Sequence, residues 1–241
     1  MHRLALAAVA FVACGPAPVV TPVHAIGGKA SFFDMPTVGD ITEISGDGAE
    51  VFVFEQPEHR VTVGADGRFH LDGFAEGNKV TLGLKDPRFF PTLTATLTIG
   101  EADVEDLTFQ IVTWRVAELV GLTVGADVHD GERCHMVTTV AAVTDHRWDV
   151  FAPGEPEAVV TVEPAPVGSK GITYYNAQTI PAVGLRATTT DGGAMVAGAR
   201  PGTYWWTAKK PERTFNRIEL RCVAGYMTNA SPPWGLQAEL L

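Results

Sequence analysis

Long hydrophobic segments are absent from this sequence. The apolar run at residues 4–13 has ten residues, about half of the roughly 20 that a helix needs to cross a bilayer. No later run approaches that length, so the sequence predicts no transmembrane helix. The run follows the basic Arg3 and ends at small residues, which is the layout of a secretory signal peptide. The sequence therefore indicates export from the cytoplasm.

Motifs of several enzyme classes are also absent. The chain has no Gly-x-Ser-x-Gly nucleophile elbow and no Gly-x-x-x-x-Gly-Lys-Ser/Thr phosphate loop. Asp47 and Asp191 each precede a glycine, but neither begins the spaced run of acidic ligands that calcium loops require. We therefore expect a non-catalytic protein without a cofactor.

Basic residues are few compared with acidic ones. The chain has 18 Lys and Arg against 28 Asp and Glu, a formal net charge of −10. Removing residues 1–13 removes one charge, that of Arg3, and leaves 17 basic residues and a net charge of −11. Such a balance repels the phosphates of nucleic acids, so no nucleic acid partner is expected. It also argues against binding to anionic lipid head groups, so membrane association would require a covalent lipid.

Residues 11–14 (Phe-Val-Ala-Cys) resemble the lipobox of bacterial lipoproteins. In that family, small residues precede a cysteine that is diacylated and becomes the new N-terminus. This sequence departs from the pattern at Phe11, where the family usually has leucine. The resemblance implies a signal peptide over residues 1–13 and a lipid anchor on Cys14.

The segment after this cysteine, residues 14–36, begins with a stretch rich in Pro, Ala and Val, which predicts a flexible tether. Gly15 stands where lipoproteins retained at the inner membrane have Asp, so the resemblance implies an outer-membrane anchor. The alternative is ordinary secretion, with cleavage after the small-residue pattern at residues 23–25 (Val-His-Ala).

Cysteines are rare, and if Cys14 carries lipid, only Cys134 and Cys222 remain. An oxidising envelope would let these two pair. Cys222 alternates in phase with Ile218 and Leu220, which predicts an inward-facing thiol. The bond would contribute roughly 4 to 5 kcal/mol in the chain-entropy model, as an upper estimate. Two unpaired buried thiols are the alternative.

Alternation of apolar and polar residues dominates residues 37–112. Residues 93–99 show it most clearly, with Leu, Ala and Ile at the odd positions and Thr at the even ones, which predicts a half-buried strand. Turn residues separate further candidate strands and indicate a β-sandwich. These candidates are residues 51–54, 61–63, 80–84 and 107–111.

Residues 65–69 (Ala-Asp-Gly-Arg-Phe), followed by Leu71, Gly73 and Gly77, resemble the carboxypeptidase regulatory-like domain. That family is a transthyretin-like module, also classed with carbohydrate-binding-like folds. The resemblance implies a β-sandwich over residues 37–112, with Asp and Gly in a hairpin turn and the following apolar residues in the core. The resemblance implies a fold and no catalytic chemistry. This sequence departs from the family pattern at Lys79, which adds one residue before the next strand.

The C-terminal half repeats this turn, because Asp191 and Gly192 follow Asp66 and Gly67 at an offset of 125 residues. Residues 126–241 are therefore predicted to form a second module of the same kind. Its candidate strands are residues 134–143, 157–163, 172–176, 194–197, 203–209, 217–222 and 225–228, before an irregular tail at 229–235.

Residues 113–125, between the modules, place apolar side chains at helical spacing behind Thr113, which predicts a capped linker helix. The predicted fold is all-β, with two tandem transthyretin-like or Ig-like antiparallel sandwiches joined by this helix.

Four residues in one half of the chain offer an alternative function. His129 and Glu132 have the His-x-x-Glu spacing of zinc carboxypeptidases, and His135 and His146 follow. Imidazole suits zinc or copper, so a small metal-dependent hydrolase or oxidoreductase is possible on this cluster. However, no His follows His146 to complete the carboxypeptidase ligand set, and a polar loop beside a disulfide is the simpler interpretation.

Aromatic side chains provide the candidate binding surface. Strand alternation predicts that Trp206 is buried and Trp205 exposed, and that one of Tyr174 and Tyr175 faces outward. With Trp234, these residues could stack on sugars or anchor a protein partner. Contact between the two modules or with the tail of the chain is the alternative role for them. The sequence thus predicts a structural or ligand-binding envelope lipoprotein, with a glycan or an envelope protein as its ligand.

Overall fold

The computed structural model describes residues 23–37, 40–143, 153–230 and 234–240. These residues form twenty strands and one helix, and the fold is all-β, as the sequence predicts. Within these ranges, no helix has the length and apolar character needed to cross a membrane. Four sequence predictions lie outside the described residues: the signal peptide, the lipidated Cys14, the first part of the tether, and the ligand candidate His146.

The first module contains two groups of paired strands with a hydrophobic core between them. Strand β1 pairs with β10, β2 and β5, while β3 pairs with β4 and β7, and β8 lies beyond β7. Large apolar side chains such as Phe32, Leu82 and Phe109 are almost fully buried in this core. The strands are β1 (Val23–Thr37), β2 (Asp40–Ile44), β3 (Glu50–Val53), β4 (Gln56–Thr62), β5 (Arg68–Ala75), β6 (Lys79–Val80), β7 (Leu82–Leu84), β8 (Thr92–Leu93), β9 (Leu97–Thr98) and β10 (Val104–Val112).

Strand β1 corrects the predicted tether. The prediction of a flexible segment over residues 14–36 is wrong from Val23 onward, and the first module begins there rather than at Thr37. The four successive residues 30–33 are all buried. Since successive side chains point to opposite faces, β1 is covered on both faces, which removes the alternation that reveals a strand in sequence. Cleavage after residues 23–25 would also cut into this strand.

Residues 92–99 differ from the predicted single half-buried strand. They form the two short strands β8 and β9, and Thr92 and Thr94 are buried instead of exposed. The hydroxyl of Thr92 donates to the carbonyl of Phe90 at 2.8 Å, and that of Thr94 donates to the carbonyl of Ala95 at 2.8 Å. Threonine tolerates burial here because each hydroxyl has an internal hydrogen-bond partner.

The linker helix α1 (Trp114–Val124) begins where the sequence predicts it. Thr113 is its N-cap, and the Thr113 Oγ1 atom accepts a hydrogen bond from the amide of Val116 at 3.4 Å. The helix ends at Gly125, whose φ of 66° lies in the left-handed region that favours glycine. Local sequence signals therefore determine both ends of this helix.

The second module has its own core, in which Trp206, Leu220 and Met136 are fully buried. One sheet has the order β14-β13-β15-β11-β19, a second has the order β12-β16-β18, and β20 pairs with β17 and β11. The strands are β11 (Cys134–Ala141), β12 (Val159–Glu163), β13 (Ile172–Tyr175), β14 (Pro181–Ala182), β15 (Gly193–Ala199), β16 (Gly202–Lys209), β17 (Arg213–Phe215), β18 (Ile218–Cys222), β19 (Met227–Ala230) and β20 (Leu236–Leu240).

The tail of the chain corrects another prediction. Residues 229–235 were expected to form irregular chain, but β19 extends to Ala230 and a further strand, β20, follows Trp234. Leu236 of this strand is fully buried in the second core. The prolines at 232 and 233 suggest the end of regular structure in the sequence, yet the chain resumes strand pairing after them.

Part of the strand pairing recurs in the two modules. In the first, β1 pairs antiparallel with β5 and parallel with β10; in the second, β11 pairs antiparallel with β15 and parallel with β19. Likewise β3-β7-β8 corresponds to β12-β16-β18, with antiparallel pairing throughout. The parallel pairs differ from the purely antiparallel sheets that the sequence predicts.

The repeated Asp-Gly turns have equivalent geometry. Gly67 and Gly192 have φ values of 78° and 76°, in the left-handed region. The Oδ1 atoms of Asp66 and Asp191 each accept a hydrogen bond from the amide two residues later, at 3.0 and 2.9 Å. The repeat in the sequence thus corresponds to a repeat of turn and strand pairing.

The two modules share one continuous sheet. Strand β19 of the second module pairs in parallel with β8 of the first, with Met227 opposite Thr92 and Thr228 opposite Leu93. The sheet therefore continues from β14 at one end to β4 at the other. This pairing brings strands from both modules together around two concave sites.

Candidate functional site

Trp205 lies on the outer face of the three-stranded sheet β12-β16-β18. Its neighbour Trp206 points to the opposite face and is fully buried, as strand alternation predicts. In the register of the sheet, Trp205 stands directly opposite Glu163 of β12 and Glu219 of β18. Opposite residues share one face of a sheet, so the indole of Trp205 lies between two carboxylate-bearing side chains.

Trp205 and Trp234 line the same groove, which we call the intermodule groove. It has a volume of about 550 Å³, and its walls come from both modules, including Lys79 and Leu97 of the first. Trp234 packs against the hydrophobic cores of both modules, and both tryptophans are partly exposed. The structure therefore brings together two of the aromatic residues that the sequence singles out.

Two polar interactions lie in the intermodule groove. The guanidinium carbon of Arg217 is 4.3 Å from the centroid of the Trp205 ring, a cation–π contact. Lys79 Nζ lies 3.1 Å from Glu219 Oε2 and connects the modules across the groove. The groove thus combines an indole face with hydrogen-bond donors and acceptors.

Asn216 holds the chain segment that carries Trp234. Its Nδ2 atom donates to the carbonyl of Gly235 at 3.2 Å, and its Oδ1 atom accepts from the amide of Gln237 at 2.6 Å. Both partners flank the start of β20. These bonds fix the backbone beside Trp234 and therefore the shape of one wall of the groove.

Sequence reasoning did not single out Glu163, Glu219 or Arg217. Glu219 lies on β18 and Arg217 directly precedes this strand, and both are opposite in phase to the buried Cys222. Their proximity to Trp205 depends on the register between β16 and β18, which one strand's sequence does not specify.

The two candidate tyrosines lie outside the intermodule groove. Tyr174 is buried, and its hydroxyl oxygen accepts a hydrogen bond from the amide of Val160 at 3.0 Å. Burial raises the pKa of the Tyr174 phenol, so it stays neutral. Tyr174 is therefore a core residue and not the exposed ligand-binding residue that the sequence suggests as a candidate. Tyr175 is partly exposed and donates to Met195 Sδ at 3.4 Å, beside a second cavity.

The three candidate metal ligands that the structure describes differ in burial and in the side chains that they contact. His129 Nε2 lies 3.0 Å from Glu118 Oε1, and its ring stacks on Trp114 with centroids 5.4 Å apart. His135 is only 4% exposed, and burial lowers its pKa, while Glu132 is exposed. Among the residues that the structure describes, no three His, Cys, Asp or Glu side chains are grouped closely enough to hold a metal ion.

The disulfide between Cys134 and Cys222 is present, as the sequence predicts. The Cα atoms of the two residues are 5.6 Å apart, within the usual range for this bond. Both cysteines are almost fully buried, on β11 and β18. The bond therefore ties together the two sheets of the second module.

The chain matches no protein-family model and no curated protein. The resemblance to the carboxypeptidase regulatory-like domain therefore stays a prediction.

Remote similarity to solved structures does exist. The Bacillus anthracis TIE protein is 12% identical, with a TM-score of 0.25, over 86% of this chain and 33% of its own, so this chain spans about a third of its length. A minor pilin from Streptococcus agalactiae is 7% identical, with a TM-score of 0.30, over 90% and 96% of the two chains. The shaft pilin SpaA from Lactobacillus rhamnosus GG is 9% identical, with a TM-score of 0.26, over 88% and 98%. At these TM-scores the similarities imply nothing about function.

Proposed function

We propose that this chain is a non-catalytic β-sandwich protein of the cell envelope whose intermodule groove binds carbohydrate. The observation that carries the proposal is the grouping of Trp205, Glu219 and Trp234 in one groove, with Glu163 beside Trp205 on the same sheet face. An indole presents a flat apolar face on which the C–H face of a sugar ring can stack. Carboxylates beside it can accept hydrogen bonds from the sugar hydroxyls.

The size of the groove supports a saccharide rather than a folded protein. Small-ligand sites usually enclose about 300 to 1,000 Å³, and the intermodule groove, at about 550 Å³, falls within that range. A stable protein interface generally buries more than about 1,000 Å² of surface with a large apolar centre. Charged groups such as Lys79 and Glu219 interrupt the apolar surface here, which favours a polar ligand.

Arg217 lies over one face of the Trp205 ring. A cation–π contact at an exposed site contributes only about 0.5 to 1 kcal/mol, so a stacking ligand can displace it. The displaced guanidinium has five N–H donors and can then bind hydroxyl or carboxylate groups of the same saccharide. In this proposal Arg217 serves as a displaceable cover and as a second contact.

Attachment to the envelope is the other part of the proposal. The Cys134–Cys222 disulfide supports an oxidising compartment, since such bonds are rare in the cytosol. Cys14 would carry the lipid and residues 15–22 would connect it to β1, on the outer membrane. Mass spectrometry of the membrane fraction should find a diacylglyceryl group on Cys14. A Cys14→Ser variant recovered unchanged in the membrane fraction would contradict the anchor.

Carbohydrate binding is tested on a glycan array with the full chain and a Trp205→Ala variant. We expect wild-type protein to bind a defined set of glycans, and the variant to lose this binding without a lower melting temperature. Val159→Ala is the matched control, because Val159 is exposed on the far end of β12. Binding that survives in Trp205→Ala, or no glycan binding by wild type, would exclude the proposal. A drop in melting temperature alone would make Trp205 a structural residue.

A further inference from the structure

A second cavity lies between the modules under helix α1, and we call it the junction cavity. Its walls come from β1, β2, β10, α1, β11, β13, β15 and β19, with apolar residues such as Phe33, Val116 and Met195. Its volume is about 330 Å³, enough for a small organic molecule. The groove proposed to bind carbohydrate has other lining residues, so the two sites are separate.

The charged residues that line the junction cavity are all acidic. They are Asp34 and Asp191, and no Lys, Arg or His occurs in the lining within the part of the chain that the structure describes. Asp34 Oδ1 accepts a hydrogen bond from Thr113 Oγ1 at 2.8 Å, which ties this carboxylate to the start of the helix. Asp191 is therefore the better candidate for contact with a ligand.

Asp191 and the Tyr175 ring both lie against the side of Gly193 from which a side chain would project. A Cβ atom added at Gly193 would lie 2.8 Å from Cδ2 of Tyr175 and would also clash with Oδ1 of Asp191. Only glycine at this position lets both groups approach the backbone so closely. Met195 adds a polarisable thioether that accepts from the Tyr175 hydroxyl at 3.4 Å. A carboxylate, an aromatic ring and a thioether thus converge at one end of the cavity.

Asp191 keeps hydrogen-bonding capacity for a ligand. Its Oδ1 atom accepts from the amide of Gly193 at 2.9 Å, and the side chain of Thr179 donates to the same carboxylate. A carboxylate has about four acceptor positions, so these two bonds leave some of them open. Burial raises the pKa of Asp191, because the charged form loses its contact with water. A cation beside this carboxylate would restore that lost stabilisation.

We propose that the junction cavity binds a small apolar molecule that carries one protonated amine, with Asp191 as its counter-ion. The hydrocarbon part would lie against the apolar walls formed by α1 and β1. The ammonium group would contact Asp191 and the face of Tyr175, as cations commonly contact aromatic rings. The two carboxylates in the described lining would repel an anionic ligand, and a neutral alcohol would gain burial without the ion pair.

The test is calorimetric titration of the full chain with n-hexylamine and with n-hexanol at a pH of about 8. An alkylamine is still protonated there, since its pKa is near that of lysine, about 10.4. We expect hexylamine to bind wild type at least about tenfold more tightly than hexanol, because a charge-assisted hydrogen bond is stronger than a neutral one. Equal affinities, or no binding of either probe, would overturn the proposal.

Two variants make the test specific. Asp191→Asn preserves the turn, since Asn can accept the same amide bond, but removes the charge; it should abolish the preference for the amine and leave hexanol binding unchanged. Asp66→Asn changes the equivalent turn in the first module, away from the cavity, and should retain the preference. An amine preference that persists in Asp191→Asn would refute the role of Asp191.

A third variant tests where the probes bind and leaves the turn at Asp191 unchanged. Val120→Phe fills the cavity from the helix and should weaken binding of both probes, whereas Leu122→Phe, at a position 79% exposed on the same helix, should not. If Val120→Phe binds both probes like wild type, the ligand lies elsewhere. Trp205→Ala should have no effect on either probe, which separates this site from the intermodule groove.

Discussion

Cys134 on β11 and Cys222 on β18 join the two sheets of the second module through a disulfide, with their Cα atoms 5.6 Å apart. The bond crosses the core, where both residues are almost fully buried. Their separation of 88 residues means that the bond restricts a large part of the unfolded chain.

Replacing both cysteines by alanine should lower the free energy of unfolding by roughly 2 to 5 kcal/mol, mainly because the unfolded chain gains conformational freedom. Urea denaturation of the oxidised wild type and the double variant measures the difference. Thiol alkylation of the unreduced, denatured protein should label neither Cys134 nor Cys222. Unchanged stability would show that the bond does not constrain the unfolded state.

Gly28→Ala should destabilise the first module. Gly28 pairs with Leu107 in the parallel β1–β10 pair, and an added Cβ would lie 2.7 Å from the carbonyl carbon of Leu107. Overpacking of this kind costs about 1 to 3 kcal/mol. Gly100→Ala is the matched control, because nothing lies within 4 Å of its added Cβ. Urea denaturation compares the two, and equal stability would argue against β1 as a core strand.

Stability should fall on acidification because of His135. This side chain is 4% exposed, its Nε2 atom has no hydrogen-bond partner among the described residues, and burial lowers its pKa from the usual 6.5. Between 6.5 and the lower folded-state pKa, the unfolded chain binds a proton that the folded chain does not. Stability from this group is therefore complete above pH 6.5 and is lost as the pH decreases through that interval.

The measurement is urea denaturation at a pH of about 7.5 and of about 5, for wild type and His135→Gln. The variant should lose less stability on acidification than wild type. Asp191 titrates in both proteins, so its contribution cancels in the comparison. An equal loss in His135→Gln and wild type would assign the pH dependence to other groups.

Arg217→Ala should separate the two roles that we propose for Arg217. Without the guanidinium 4.3 Å above it, Trp205 becomes more accessible, and its fluorescence should be quenched more strongly by acrylamide. Thermal stability should change little, since an exposed cation–π contact contributes only about 0.5 to 1 kcal/mol. Tighter glycan binding would identify Arg217 as a cover, and weaker binding would identify it as a ligand contact. Unchanged quenching would show that Arg217 does not cover the ring in solution.

Sequence patterns correctly predicted the elements that are determined by residues close to one another in the chain. Thr113 and Gly125 determine the ends of α1 through capping and a left-handed turn. Alternation along β16 and β18 assigned Trp206, Leu220 and Cys222 to the core, because the sheet that contains both strands has one buried face and one outer face.

Sequence patterns did not predict burial correctly where the covering side chains belong to strands that are distant in sequence. Residues 30–33 of β1 are all buried, since the strand is covered on both faces, and their run of small and apolar residues has no alternation. Thr92 and Thr94 alternate like an exposed face, but their hydroxyls are satisfied inside the protein. In both segments, surroundings supplied by other parts of the chain decide which side chains are buried.

The amino-acid sequence predicted the all-β class, the linker helix and the repeated Asp-Gly turns, because alternation, capping and turn chemistry act between near neighbours. It also predicted that Cys134 pairs with Cys222, since these are the two cysteines that remain if Cys14 carries a lipid, and the structure contains this bond. The tertiary structure alone decided the two sites. Trp205 meets Glu163 and Glu219 through strand register, and Asp191 faces the junction cavity because β19 pairs with β8 and closes the modules together. Register and intermodule pairing depend on the packing of the whole chain, which no single segment encodes.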